Sequence, residues 1–335
     1  MLKRRVFVIV SVLLISVLGM TSCKKNVGTP EDNAVIEEPE EGQQEETQEE
    51  FLVGFTAIDM ENPYFITLES AIRGALEESG YQMITRDPGT DPDLQESQIQ
   101  EMIDAGIDAI ILCPVDWEKI TPSLEKLKAA DVKIINVDTQ VKEMDYVDAY
   151  IGSDNHNAGY ICGEGLIEKC PDGGKIAILE CPTQNSINDR ITGFEEAIAQ
   201  AENGFEVVER VDTGGEFEKA LEASQRILKE YPDICAIMCG NDQLAVGAKT
   251  AANVAGLTDV VIYGVDGSPD IKKELKKAEN QIAGTAAQSP INIGKQAAVT
   301  VMHILEGEDY EKEVYEEVFM INKDNVDMYG TDGWQ

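Results

Sequence analysis

Five apolar runs in this sequence lead into residues that can exchange hydrogen bonds with a hydroxyl. Phe51–Ile58 leads into Asp59-Met60-Glu61-Asn62-Pro63-Tyr64-Phe65, and Lys133–Val137 ends on Asp138. Ala236–Met238 ends on Cys239-Gly240-Asn241-Asp242, Val260–Val265 on Asp266-Gly267, and Ile282–Ala287 on Gln288-Ser289-Pro290. Carboxylates accept from hydroxyls, and amides both accept and donate. Tyr64 and Phe65 add flat apolar faces. The combination suits a neutral polyhydroxy ligand. Any one of these polar residues reads equally well as a helix N-cap; their recurrence at five ends is what points to a site.

Other chemistries find less support. Asp138 and Asp266 raise the pairing of a glycosidase acid and base. No Ser-His-Asp or Cys-His arrangement is readable, and His156 and His303 fall on helix segments far apart. Neither has a Cys or His cluster around it, so no metal site is expected. Cys235 and Cys239, four apart in an apolar run, share one face of a strand and read as buried free thiols. No Gly-x-Gly-x-x-Gly follows the first strand and no phosphate-cradling Gly-Lys-Ser/Thr loop occurs, so no nucleotide cofactor is expected. The balance of 63 acidic against 27 basic residues, a formal charge of −36, argues against nucleic acid and anionic lipid as partners.

A frame must hold the strand ends together. Nine short apolar runs read as buried strands: the five above, together with Gln82–Thr85, Ala109–Leu112, Lys175–Leu179 and Glu206–Arg210. Between them lie segments of helical period such as Tyr64–Ser79, Leu94–Ala105, Ile191–Ala201 and Leu244–Ala255. Asn62-Pro63 and Asp91-Pro92 pair an N-cap residue with Pro at the first turn, while Gly80, Gly106 and Gly256 mark helix ends. This alternation predicts an α/β fold of parallel sheets covered on both faces. A chain of 335 residues is long enough for two such doubly wound lobes. In open parallel sheets, ligands bind beyond the carboxyl ends of the strands, where the polar residues collect.

The first fifty residues read as address and tether. Lys3, Arg4 and Arg5 precede an apolar run from Val6 to Met20, then Thr21-Ser22-Cys23. That run is shorter than the roughly 20 residues that span a bilayer. It resembles a bacterial lipoprotein signal, which implies that Cys23 is lipidated and that residues 1–23 form the signal peptide. Residues 24–50 hold ten acidic residues, Pro30, Pro39 and almost nothing apolar, the composition of a disordered tether. An exported body anchored to the outer face of the membrane is the expectation.

The polar motifs also occur in a telling order: Asn62-Pro63-Tyr64-Phe65, Asn136-Val137-Asp138, Gly152-Ser153-Asp154-Asn155, Arg190-x-x-Gly193-Phe194, Gly240-Asn241-Asp242, Gly264-Val265-Asp266-Gly267 and Ala287-Gln288-Ser289-Pro290. As a set they resemble the ribose- and galactose-binding proteins of bacterial sugar ABC transporters, over residues 51–325. The resemblance implies the type I periplasmic binding protein fold: two Rossmann-like lobes joined by a three-strand hinge. The crossings fall near Ser153–Asp154, Gln288–Ser289 and Val318–Phe319. The first lobe then comprises residues 51–153 plus 289–318, and the second residues 154–288 plus 319–335.

The resemblance further implies a monomeric binding protein, not an enzyme, that closes on a sugar and hands it to a permease and its ATPase. It implies ligand contacts from Asn62, Tyr64, Phe65, Asp138, Asn188, Arg190, Asn241, Asp266 and Gln288, with Asp59, Trp117 and Thr139 as further candidates. Thr139 and Asn188 stand where the ribose-type pattern has Arg, and no aromatic is readable near Gly215. Losing two guanidinium forks argues against ribose itself. Trp117 offers either a replacement aromatic wall or a plain helix face. Sugar-responsive repressors share the same lobes but carry a helix-turn-helix ahead of them, where this chain has an export signal. A receptor presenting its ligand to a sensor kinase or chemoreceptor is the alternative to transport.

Overall fold

The computed structural model describes residues 51–278 and 280–335. Cys23, the signal and the tether lie outside the described residues. In chain order the first half runs β1 (Leu52–Thr56), α1 (Pro63–Glu78), β2 (Gln82–Arg86), α2 (Pro92–Ala105), β3 (Ala109–Leu112), α3 (Thr121–Ala129), β4 (Lys133–Val137) and β5 (Ala149–Ser153). Next come α4 (Asn155–Lys169), β6 (Gly174–Glu180), α5 (Asn185–Ile198), β7 (Phe205–Asp212), α6 (Phe217–Glu230), β8 (Ile234–Cys239), α7 (Asp242–Ala255), β9 (Val261–Asp266), α8 (Pro269–Leu275) and β10 (Ile282–Ala287). The chain closes with α9 (Pro290–Glu306), β11 (Glu313–Glu316) and β12 (Phe319–Asn322).

Two six-stranded sheets result, ordered β11-β5-β4-β3-β1-β2 and β12-β10-β9-β8-β6-β7. All pairings are parallel except β12 against β10. The chain passes between the sheets at three places, after β5, after β10 and between β11 and β12. Two of these passages are tied by Asp154 N donating to Glu316 O at 3.1 Å. The two-lobed α/β architecture read from the sequence is the one observed.

Helices form where apolar spacing gives them a face to bury. Leu68, Ile72 and Leu76 of α1, four apart, pack with Ile293, Ala297 and Val301 of α9 over Val53 and Phe55 of β1. Each such Leu, Ile, Val or Phe side chain contributes about 1.5–3 kcal/mol when fully buried. In the second lobe Leu244, Ala245, Ala248 and Ala252 of α7 pack with Ala220 and Ile227 of α6 over Ile237 of β8.

Helices α4 and α5 approach more closely than side chains allow. A Cβ at Gly159 would lie 1.6 Å from Arg190 O, and one at Gly193 would lie 2.0 Å from His156 O. Any residue but glycine at either position forces the helices apart. This crossing fixes where Arg190 points.

Three readings are corrected. Arg190 and Asn188 lie in α5, which begins at Asn185 rather than at Ile191. The start escaped detection because Gln184, at its N-cap, makes no side-chain capping bond. β5, β11 and β12 escaped as well: β5 is buried but its Ala-Tyr-Ile-Gly-Ser run is not continuously apolar, and β11 and β12 are short, half-exposed edge strands. Cys235 is only half-buried, whereas Cys239 is fully buried; both are free thiols.

Candidate functional site

The first lobe presents its wall at the ends of β3 and β4 and at the start of α1. Asp138 is buried in left-handed backbone, φ 62°, a conformation costly for a residue with a Cβ and concentrated at functional sites. The Tyr150 hydroxyl holds it there by donating to Asp138 O at 2.8 Å. Thr139 Oγ1 donates to Asp138 Oδ2 at 3.3 Å, and Cys113 Sγ approaches the same oxygen at 3.5 Å. Asn62 caps α1 through Oδ1, which accepts from Tyr64 N at 3.0 Å. The cap sets Tyr64 and Phe65 in the first turn, both buried and packed edge to face with centroids 5.2 Å apart. The Tyr64 hydroxyl is close enough to Asp138 and Asp266 to feel both charges, yet among the described residues it has no hydrogen-bond partner of good geometry.

The second lobe centres on Arg190. Its Nε donates to Asn155 Oδ1 at 2.8 Å and its Nη1 to Gly240 O at 2.9 Å, with Asp266 Oδ1 3.7 Å from Nη1. Asp266 ends β9 at φ 140°, a second strained carboxylate. Gln288 Nε2 donates to Asp266 Oδ1 at 2.8 Å, while its buried Oε1 has no partner among the described residues. Asn241 caps α7, accepting from Leu244 N at 3.0 Å, and its Nδ2 reaches Gly215 O at 3.5 Å. Asp242 turns inward, accepting from Thr285 Oγ1 and Ser268 N, both at 2.7 Å.

Burial dominates the electrostatics. It pushes the Asp138 and Asp266 carboxyls above the usual carboxylate range, and in each case the Arg190 charge opposes it. Asp242 is raised by burial and then by the charge of Asp266. One guanidinium thus serves carboxylates from both lobes.

The lobes meet directly. Thr139 Oγ1 and Ser186 Oγ lie 2.6 Å apart, and Trp117 N donates to Thr183 O at 3.1 Å. A cavity of about 720 Å³, within the range of small-ligand sites, is lined by residues of both lobes. Asp59, Asn62, Phe217, Asp242, Asp266 and Trp334 line it, and none of its lining residues is basic.

Tyr64, Phe65, Asp138, Arg190, Asn241, Asp266 and Gln288 are thus buried, Asp59 and Asn62 are half-buried, and of these residues Asp59, Asn62 and Asp266 line the cavity. Thr139 is fully buried against Ser186, leaving no space for an arginine there. Asn188 is turned aside, its Nδ2 donating to Pro182 O at 3.0 Å. Trp117 stands at the lobe contact through its backbone and does not line the cavity. The aromatic sought near Gly215 is Phe217, two residues on at the start of α6. Sequence reasoning passed over Asn155, Ser186, Asp242 and Trp334. Asn155 and Asp242 sat inside quoted motifs and were legible there; Ser186 and Trp334 become visible only when the chain is folded.

Residues 53–309 match the family model described as a periplasmic binding protein domain. The chain belongs to that family. Within it, the protein is a type I member of the ribose/galactose group. Over 268 residues it is 29% identical to the ribose import binding protein RbsB of Bacillus subtilis, covering 80% of this chain and 86% of that one. The crystal structure of an ABC transporter solute-binding protein from Mycobacterium smegmatis with bound glycerol superposes with a TM-score of 0.80 at 26% identity, covering 85% of this chain and 98% of that one. A periplasmic solute-binding protein from Actinobacillus succinogenes with bound D-allose gives 0.76 at 25% identity, covering 84% and 100%. These relatives are solute-binding proteins, and this periplasmic-binding-protein family member is a binding protein, not an enzyme. The glycosidase reading of Asp138 and Asp266 falls with that.

Proposed function

We propose that the protein is the extracytoplasmic component of a sugar ABC transporter, closing its lobes on a neutral monosaccharide or sugar alcohol and delivering it to the permease and its ATPase. The observation that carries this reading is a pair of buried, backbone-strained carboxylates, Asp138 on one lobe and Asp266 on the other, with Arg190 3.7 Å from Asp266 and its charge acting on both. Sugar hydroxyls donate to the two carboxylates and accept from Arg190, Asn241 and Gln288. Hydrogen bonds to charged groups contribute about 1.5–3 kcal/mol each. The Tyr64 hydroxyl and Gln288 Oε1 gain partners, and the rings of Tyr64 and Phe65 lie against apolar C–H faces. Asp59 and Asn62 meet the rim of the ligand. The ribose, D-allose and glycerol in the names of the relatives are all uncharged and hydroxylated, which supports the ligand class.

Hinge closure is the step that brings the lobes onto the ligand, and the closed form is what the permease recognises. The protein works as a monomer, held at the outer face of the membrane by lipidated Cys23 alone. Calorimetry on Asp266→Ala tests the site. A loss of at least about tenfold, equivalent to 1.4 kcal/mol, is expected. A variant that binds as tightly as the wild type overturns the assignment.

A further inference from the structure

We infer that Trp334 is a wall of the ligand cleft and that Gln335 is the residue that positions it, so that this tail segment reads the ring of the bound sugar. The inference rests on the sugar-binding reading above and adds a residue to it from beyond the last strand.

Residues 333–335 are fastened to the second lobe and to the β10–α9 passage by five hydrogen bonds. Lys272 Nζ, on a fully buried side chain, donates to Gly333 O at 2.7 Å and to Gln335 Oε1 at 2.9 Å. Gln335 Nε2 donates to Gln288 O at 2.9 Å and to Asp266 O at 3.3 Å, and Ser289 Oγ donates to Gln335 O at 2.6 Å. Two of these acceptors belong to residues already placed in the site. A buried ammonium is costly without partners, and these residues supply the two acceptors bonded to Lys272. Gly267, at φ 75°, leaves the room required, since a Cβ there would lie 2.4 Å from Gln335 Nε2.

While Gln335 holds the second lobe, its neighbour reaches the first. The Trp334 ring packs on Tyr64, centroids 5.8 Å apart and nearly perpendicular, joins the first-lobe core and lines the cavity beside Asp59 and Asn62. An indole there faces Phe217 of the second lobe across the same cavity, so each lobe contributes an aromatic wall. Aromatic rings suit the C–H faces of a sugar ring, whereas the carboxylates suit its hydroxyls.

The test titrates the full chain with D-ribose, D-allose, myo-inositol and glycerol by calorimetry, for wild type, W334A, W334F and Q335A, with tryptophan emission followed in parallel. For whichever ring compounds bind the wild type, W334A is expected to weaken binding at least tenfold. W334F should keep most of the affinity, and Q335A should fall between. The sugar-dependent emission change of the wild type should vanish in W334F although W334F still binds, because Trp117 is the only other tryptophan. W334A binding within twofold of wild type, or an emission change persisting undiminished in W334F, overturns this inference alone. A wild type giving no heat with any of the four overturns the sugar reading and this inference together. If W334A melts, W334F and Q335A carry the same comparison.

Discussion

The hydroxyl oxygens of Thr139 and Ser186 lie 2.6 Å apart, one on each lobe, and both residues are buried. Thr139 stands next to Asp138 and Ser186 one turn before Arg190, so the two residues join the shells of the carboxylate and the guanidinium. A hydrogen bond of this kind contributes about 0.5–1.5 kcal/mol net. Where it bridges two lobes, that energy favours the closed arrangement over an open one.

The double variant Thr139→Val, Ser186→Ala removes both partners and leaves no unpaired hydroxyl. The protein without sugar should then show a larger radius of gyration by small-angle scattering, and affinity should fall by up to about tenfold as the binding-competent population falls. The sugar-saturated radius should stay that of the wild type. Unchanged radius and affinity would show that this contact does not govern closure.

Asp138, Asp242 and Asp266 all have pKa values raised by burial. For an acid raised on folding, the contribution to stability is fully present below the unfolded carboxylate range, about 4, and is lost as pH rises through the folded values. A sugar hydroxyl donating to a carboxylate favours its charged form and lowers the pKa again. Sugar binding should therefore release protons on the acid side of neutrality, and affinity should rise with pH there. Calorimetry in two buffers of different ionisation enthalpy reads the sign directly. Proton uptake on binding would contradict hydroxyl donation to these groups.

Cys23→Ser should release the protein from the membrane fraction while leaving its melting temperature unchanged, because the proposed tether alone carries the lipid. A variant that remains tightly membrane-bound would refute lipidation as the anchor.

Much of the frame was readable because buried parallel strands are near-continuous apolar runs. Ala109–Leu112, Lys133–Val137 and Ile282–Ala287 match the observed strands to the residue. The positions of Asp138, Asp266 and Gln288 were readable for a related reason: each stands at the carboxyl end of a buried strand. Arg190 was harder to place, since its helix starts without a capping side chain and its direction depends on Gly159 and Gly193 meeting a neighbouring backbone. Ser186 and Trp334 carry no local signal at all. Each acquires its surroundings from a segment far away in sequence, Thr139 for the one and Tyr64 for the other. Lys272, one of two adjacent lysines on the short α8, is buried and donates to Gly333 O and Gln335 Oε1, a setting that depends on residues 61 and 63 positions away.

The ligand's charge offers the most direct measurement. The cavity carries Asp59, Asp242 and Asp266 among its lining residues, with no basic side chain. The charge of Arg190 is already set against Asp138 and Asp266, although its Nη2 can still donate to a hydroxyl. A phosphate or carboxylate on the ligand would face uncompensated like charge, which costs several kcal/mol. Thermal-shift screening of the purified full chain against neutral sugars, polyols and the matching sugar phosphates should give its largest shift with an uncharged monosaccharide or polyol, and none with that compound's phosphate. A sugar phosphate producing the largest shift would contradict the proposed site.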